Sequence, residues 1–250
     1  SKVSYKGVVF DEAELIVRGR GSYCELHDLN VRKGQDWARG DIAFASKRDE
    51  VKSAASIRLD MEAQFPLTEA AKLFKSDIVT VITDFKTTSS PLIQLEAAIF
   101  NKAYSEYADK SYIDLSANLD HPLTYKDVPL DHLSFKLFGR SQVTHLREVK
   151  LGYADGQATA MIDIFMPVEA KNSLCYALDL KDANQKQALR DLSQFDHIEG
   201  SLQSTTTTKP RREDARIDLN IRGQGPTEDP FKHKGFGHFE IRNDKLGTIQ

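Results

Sequence analysis

Ile57, Leu59, Met61, Ala63 and Phe65 are apolar, and Arg58, Asp60, Glu62 and Gln64 between them are polar. A period of two puts all five apolar side chains on one face of an extended strand. The same alternation returns in Ile113–Leu119, in Leu133–Leu137 and in Ala215–Ile221. Strands of this kind build antiparallel sheets with one apolar and one wet face. Turn residues (Gly19-Arg20-Gly21, Lys33-Gly34, Asp155-Gly156) fall between them at hairpin-like intervals. A mostly β, antiparallel fold is the expectation.

Helical signals are few. Thr68–Phe74 follows a Pro-Leu and predicts a helix capped by Thr68 and running toward Phe85, although Ile78–Thr83 is β-branched. Asp182–Leu192 consists of good helix formers with Leu189 and Leu192 on one face. Thr205–Glu213 reads as a solvated loop, because Glu213 and Asp214 follow Arg211 and Arg212 at once.

Placed without a gap on residues 125–140, residues 5–20 show six identities in sixteen positions. Tyr5-Lys6 meets Tyr125-Lys126, Val8 meets Val128, Asp11 meets Asp131, and Gly19-Arg20 meets Gly139-Arg140. Coincidence between two similar hairpins is the plain alternative. The reading preferred here is a unit of roughly 120 residues occurring twice. The first unit spans 1–110 with a helix near 68–85, and the second spans 111–250 with a helix near 182–193.

Lys and Arg number 34 against 37 Asp and Glu and are interspersed with them, giving a net charge of −3. That balance argues against nucleic acid as a partner, since a clustered basic face is lacking. Cys24 and Cys175 fall at different points of the two units, so two free, partly buried thiols are expected rather than a disulfide. No stretch reaches the ~20 apolar residues of a membrane-spanning helix. The opening Ser1-Lys2-Val3-Ser4 and the closing Leu246–Gln250 read like an excerpt of a longer protein.

No His-Glu-x-x-His, Gly-x-Ser-x-Gly or phosphate-cradling glycine loop occurs, so no catalytic residue, cofactor or enzymatic activity is expected. The glycine pairs 19/21, 223/225 and 235/237 read as turns or bulges. His233, His238 and Glu240 fall short of a zinc ligand set, and Asp179, Asp182 and Asn184 read as strand end and helix cap, so no metal is expected. What remains to be weighed is the apolar face. It is either the core between two packed layers or the lining of an open groove for acyl chains, and periodicity fits both.

Pro91–Ala97, Ser111–Leu115, Tyr125–Leu130 and Gly152–Ile164 together resemble the recurring segment of AsmA-like proteins. Gly235–Gly247 is similar to that family's C-terminal Gly-x-Gly pattern, with Asn243-Asp244-Lys245 where a glycine-containing turn is usual. The resemblance implies an elongated, twisted antiparallel sheet curled into a groove with an apolar interior, as in TamB and the bridge-like lipid transfer proteins. It implies a periplasmic segment of a parent protein anchored in the inner membrane. That segment would shield or conduct phospholipid between membranes and support outer-membrane biogenesis. Phospholipid acyl chains are then the expected partner, with other envelope proteins, and membrane contact runs through regions outside this fragment. The groove lining would comprise Ile57, Leu59, Met61, Phe65, Ile113, Leu115, Leu119, Leu133, Phe135, Leu137, Ile217, Leu219 and Ile221. The alternative is a structural β-repeat module of the cell envelope that binds proteins along its sheet edges and has no lipid groove.

Overall fold

The computed structural model of the protein describes residues 2–21, 23–45, 55–73, 84–100, 110–167, 169–192 and 215–242. Two short strands, β1 (Val3–Tyr5) and β2 (Val8–Phe10), close a hairpin over Lys6-Gly7, both at positive φ. Four long strands follow: β3 (Glu12–Arg20), β4 (Tyr23–Lys33), β5 (Asp36–Ala45) and β6 (Ala55–Gln64). After helix α1 (Leu67–Leu73) come β7 (Phe85–Thr87), β8 (Leu92–Phe100) and β9 (Tyr112–Leu119). A second short hairpin, β10 (Leu123–Tyr125) and β11 (Val128–Leu130), leads into β12 (His132–Arg140), β13 (Val143–Tyr153), β14 (Gly156–Phe165) and β15 (Ser173–Asn184). Helix α2 (Gln185–Leu192), β16 (Arg216–Pro226), a 3-10 turn (Pro230–Lys232) and β17 (Lys234–Arg242) complete the order.

Twelve strands form one twisted antiparallel sheet in the order β17-β16-β15-β14-β13-β12-β9-β8-β6-β5-β4-β3. Strands adjacent in this sheet are nearly always adjacent in sequence, so the chain meanders from one edge to the other. Among the described residues the sheet does not close on itself, and β3 and β17 are its two edges.

Cross-strand register carries the apolar alternation over the whole sheet, because directly opposed residues share a face. One row runs Ile42↔Leu59↔Ala97↔Ile113, and another Met61↔Leu95↔Leu115↔Leu137↔Leu146↔Ile162↔Tyr176. The intervening residues face the other way and form cross-strand ion pairs. Arg140 grips Asp114 with two hydrogen bonds of 2.7 and 2.8 Å, and Lys136 reaches Glu148 at 2.8 Å.

Three small caps sit on the apolar face, all toward the same ends of the strands. Hairpin β1–β2 and α1 bury Val8, Phe10 and Phe65 against Val31 and Ala63. A three-stranded sheet, β11-β10-β7, buries Leu123 against Ala117, Leu119, Leu133 and Val149. Helix α2 lays Ala188 on Ala158, Leu180, Ala183 and Ile217, and the Tyr153 hydroxyl donates to the Ala188 carbonyl at 3.3 Å.

β1–β5 and β10–β14 begin and end at positions 120 residues apart. Register shifts fall at Glu14/Ile16 and Ser134/Lys136, and at Leu26/Leu29 and Leu146/Val149. Backbone angles match too: φ is 47° at both Lys6 and Lys126, and 52° and 51° at Asp28 and Glu148.

Several local expectations are corrected. The first helix begins at Leu67, so Thr68 lies inside it instead of capping it, and Glu69 and Ala70 donate to the Pro66 carbonyl. It does not run to Phe85, which opens β7 and pairs with Tyr125; residues 74–83 lie outside the described residues. The second helix starts at Gln185 and not at Asp182. β15 extends to Asn184 to keep pairing with β16, and the Asn184 side chain caps the helix through the Gln187 amide at 3.0 Å. Gly223, Gly225, Gly235 and Gly237 are strand positions, not turns. A Cβ at Gly223 would run into the Tyr176 ring, and one at Gly225 into His233. The Thr205–Glu213 loop and the end of the Gly235–Gly247 pattern lie outside the described residues.

Candidate functional site: the apolar face of the sheet

Twelve of the thirteen candidate residues stand on the apolar face of the sheet. Leu119↔Leu133, Leu115↔Leu137 and Ile113↔Gly139 bring the β9 and β12 members together. Ile217, Leu219 and Ile221 face Ala183, Leu180 and Leu178 in β15. Phe65 is the exception. It follows β6 and is buried beneath the first cap, with its ring centroid 5.9 Å from that of Phe10. The polar alternates Arg58, Asp60, Asp114, Lys136, Arg216 and Asp218 occupy the intervening register positions on the opposite face.

Most of the candidates, Leu59, Met61, Ile113, Leu115, Phe135, Leu137, Leu219 and Ile221, are half-buried, and the rest lie at two extremes. Leu119, Leu133 and Ile217 are buried under the caps. Away from the caps the face is open: Ile57 is 40 % exposed, Phe44 41 %, Ile99 47 % and Val17 63 %. Ile57 stands directly opposite both Phe44 and Ile99 on its neighbouring strands, so these residues form one apolar row. Apolar area left in water costs about 25 cal/mol per Å², so this contiguous strip is the feature of the face that calls for a covering group. The caps rise along one side of the strip as a low wall.

Sequence reasoning missed several members of this face, among them Val17, Leu26, Ile42, Phe44, Ile99, Ile162 and Tyr176. A signal for them exists. Three bulges replace strict alternation by apolar-polar-polar-apolar: Leu26-His27-Asp28-Leu29, Leu146-Arg147-Glu148-Val149 and Leu180-Lys181-Asp182-Ala183. A spacing of three imitates a helix, whereas here the extra residue lets both apolar neighbours stay on one face.

The polar face has its own relief. An open cleft of about 1000 Å³ lies over β3–β6, lined by Glu14, Asp28, Arg32, Trp37, Arg39 and Glu62 among others. A neighbouring one of about 560 Å³ follows across β6, β8, β9 and β12. Asp41, Asp60, Glu96 and Asp114 stand directly opposite one another along this face. Arg39, then Gln94, hydrogen-bond Glu62 and hold its carboxylate below the usual range; Glu96 accepts from Tyr112 and pushes that phenol up. Among the described residues no group of three or more His, Cys, Asp or Glu is placed to hold a metal ion. No helix among them is long and apolar enough to cross a membrane. His238 stands 4.0 Å from Glu240, and His233 hydrogen-bonds the Pro226 carbonyl at 2.9 Å. Cys24 and Cys175 are free and half-buried.

Set against family models, curated proteins and solved structures, the chain matches none of them, so the reading of this face rests on its own geometry.

Proposed function

We propose that the chain comprises two copies of one β unit, spanning 1–110 and 111–250, whose joined apolar faces form a groove that shields phospholipid acyl chains. In this reading it is a periplasmic segment of an AsmA-like protein, anchored elsewhere in its sequence to the inner membrane, that conducts lipid and supports the outer membrane. The observation that carries it is the apolar face itself. It continues over twelve strands, the sheet is unclosed, and the strip around Phe44, Ile57 and Ile99 has no second layer among the described residues. Each CH₂ of an acyl chain that leaves water for such a strip contributes about 0.8 kcal/mol. The charged opposite face keeps the outside of the sheet in water. No catalytic residues or cofactor are part of the proposal.

A photo-crosslinking residue at 57 or 99 is expected to capture phospholipid in the cell envelope, and one at 58 or 60 on the polar face to capture none. With the crosslinker placed instead at 44, Ile57→Asp with Ile99→Asp should abolish the captured lipid yet leave the far-UV dichroism unchanged, because both sites reach water. Crosslinks from 57 and 99 to protein alone would defeat the lipid reading. They would favour the second one, an envelope module that binds proteins, for which the exposed apolar residues on both edge strands speak: Ile16 and Val17 on β3, Phe236 and Phe239 on β17.

A further inference from the structure

The chain's one tryptophan stands on the polar face, where alternation calls for no apolar residue. Trp37 lies opposite Arg32 and Gln64 in the wall of the open cleft of about 1000 Å³ over β3–β6. The Arg39 guanidinium carbon is 4.9 Å from its ring centroid. The sheet itself requires neither side chain. β14 begins and ends 120 residues after β5 and pairs with β13 in the register that β5 keeps with β4. In β14, Gln157, Thr159 and Met161 hold the positions of Trp37, Arg39 and Asp41. Over β13–β15, the strands that match β4–β6, the cleft shrinks to about 200 Å³.

The floor of the large cleft continues a register row of hydrogen-bonding side chains, Glu14↔Asn30↔Arg39↔Glu62↔Gln94↔Ser116. Arg39 Nε donates to Glu62 at 2.9 Å, Gln94 Nε2 donates to the other Glu62 oxygen at 3.2 Å, and the Ser116 hydroxyl donates to Gln94 Oε1 at 3.2 Å. These groups are held in place by one another, which reduces the ordering that a ligand has to impose. Asp60 and Glu62 line both this cleft and the neighbouring one of about 560 Å³, so the two join into a furrow across the strands.

We propose that this furrow binds a neutral, linear glycan lying across the strands. A pyranose ring carries C–H groups on its faces and hydroxyls around its edge. The indole and the guanidinium beside it offer flat surfaces to the former. The carboxylate, amide and hydroxyl groups of the floor accept from and donate to the latter. Neighbouring strands are ~4.8 Å apart, about the length of one such ring, so successive sugars meet successive strands. Charge selects against other polymers. Asp41, Asp60, Glu96 and Asp114 stand in a row along the furrow and repel a nucleic acid or a sulfated chain. A basic peptide gains little, because Glu62, Asp41 and Asp114 already face Arg39, His27 and Arg140. The furrow is on the opposite side of the sheet from the apolar face and does not depend on what that face holds.

Trp37 makes the unaltered chain its own probe. Titrated with cellohexaose or the N-acetylglucosamine hexamer, its emission should shift to the blue and saturate. Calorimetry then follows the variants. Trp37→Gln with Arg39→Thr, the residues that β14 carries, should weaken binding about tenfold while the far-UV dichroism stays unchanged. Asn30→Ala, a separate change in the floor, should weaken it about fivefold and decides the matter if the double variant loses its fold. Gln157→Ala, on the equivalent strand, should leave the affinity unaltered. The proposal is overturned if neither hexamer gives a saturable response, or if the folded variants of the furrow bind as tightly as the unaltered chain. Tighter binding of hexalysine or of a heparin hexasaccharide than of either neutral hexamer overturns it too, and would assign the furrow to a basic peptide or an anionic polymer.

Discussion

Gly40 sits in β5 with φ +142°, and a Cβ there would fall on the Asp60 carbonyl and lie 2.8 Å from the Met61 Cα. The neighbour is backbone and cannot swing away. Gly40→Ala should therefore lower stability by about 1–3 kcal/mol in urea denaturation, whereas Gly34→Ala, with nothing within 4 Å, costs only the strain of its φ of 63°. Asp218 is a second such position. The Asp182 amide at 2.7 Å, and then Arg242, bind its carboxylate and hold its pKa below the ordinary aspartate value of 3.8. A folded-state pKa below the unfolded one contributes stability above 3.8 that is lost as pH falls through the lowered value. Asp218→Asn should accordingly destabilise the chain near neutral pH, and the difference from wild type should shrink once the pH drops under 3.8. Denaturation curves at several pH values measure this; a difference that grows on acidification would show the carboxylate is not held in this way.

At the scale of elements, alternation made β6, β9, β12 and β16 legible, because a half-buried strand has to repeat every two residues. The short strands β1, β2, β7, β10 and β11 were not, since three residues hold too little of a period to register. The end of β15 was hidden for a different reason. Asp182-Ala183-Asn184 favours a helix locally, and only pairing with β16, together with the Asp218 carboxylate that accepts from the bulged amide, keeps it extended. Which apolar residues are covered depends on three caps from distant parts of the chain, so no local pattern could separate Leu119 from Ile57. The caps carry much of the burial. Leu123, 4 % exposed in the second cap, should cost about 2–5 kcal/mol on truncation to Ala. Leu15→Ala, 42 % exposed on β3, should cost well under half of that in the same urea titration.

Across the whole molecule, each strand touches chiefly its two neighbours, so stability is passed along the sheet from strand to strand. The joint between β9 and β12 is then the link between the two halves. The single tryptophan, Trp37, lies in β5 and reports on the first half alone, while far-UV dichroism reports on both. In the unaltered chain the two signals should unfold together. With Leu115→Ala and Leu137→Ala, which face each other across the joint, they should separate into two transitions. Signals that remain superimposed would mean the coupling runs through other contacts.

The two native cysteines acquire a use from where they lie. Cys24 stands opposite Phe44 on the apolar face, and Cys175 stands opposite Asp163 and Gln224 on the polar one. One molecule thus carries a thiol on each side of the same sheet. A solvatochromic maleimide on Cys24, with Cys175→Ser, should shift to the blue when vesicles are added. The same dye on Cys175, with Cys24→Ser, should keep its aqueous emission, giving the two faces of the protein a colour each.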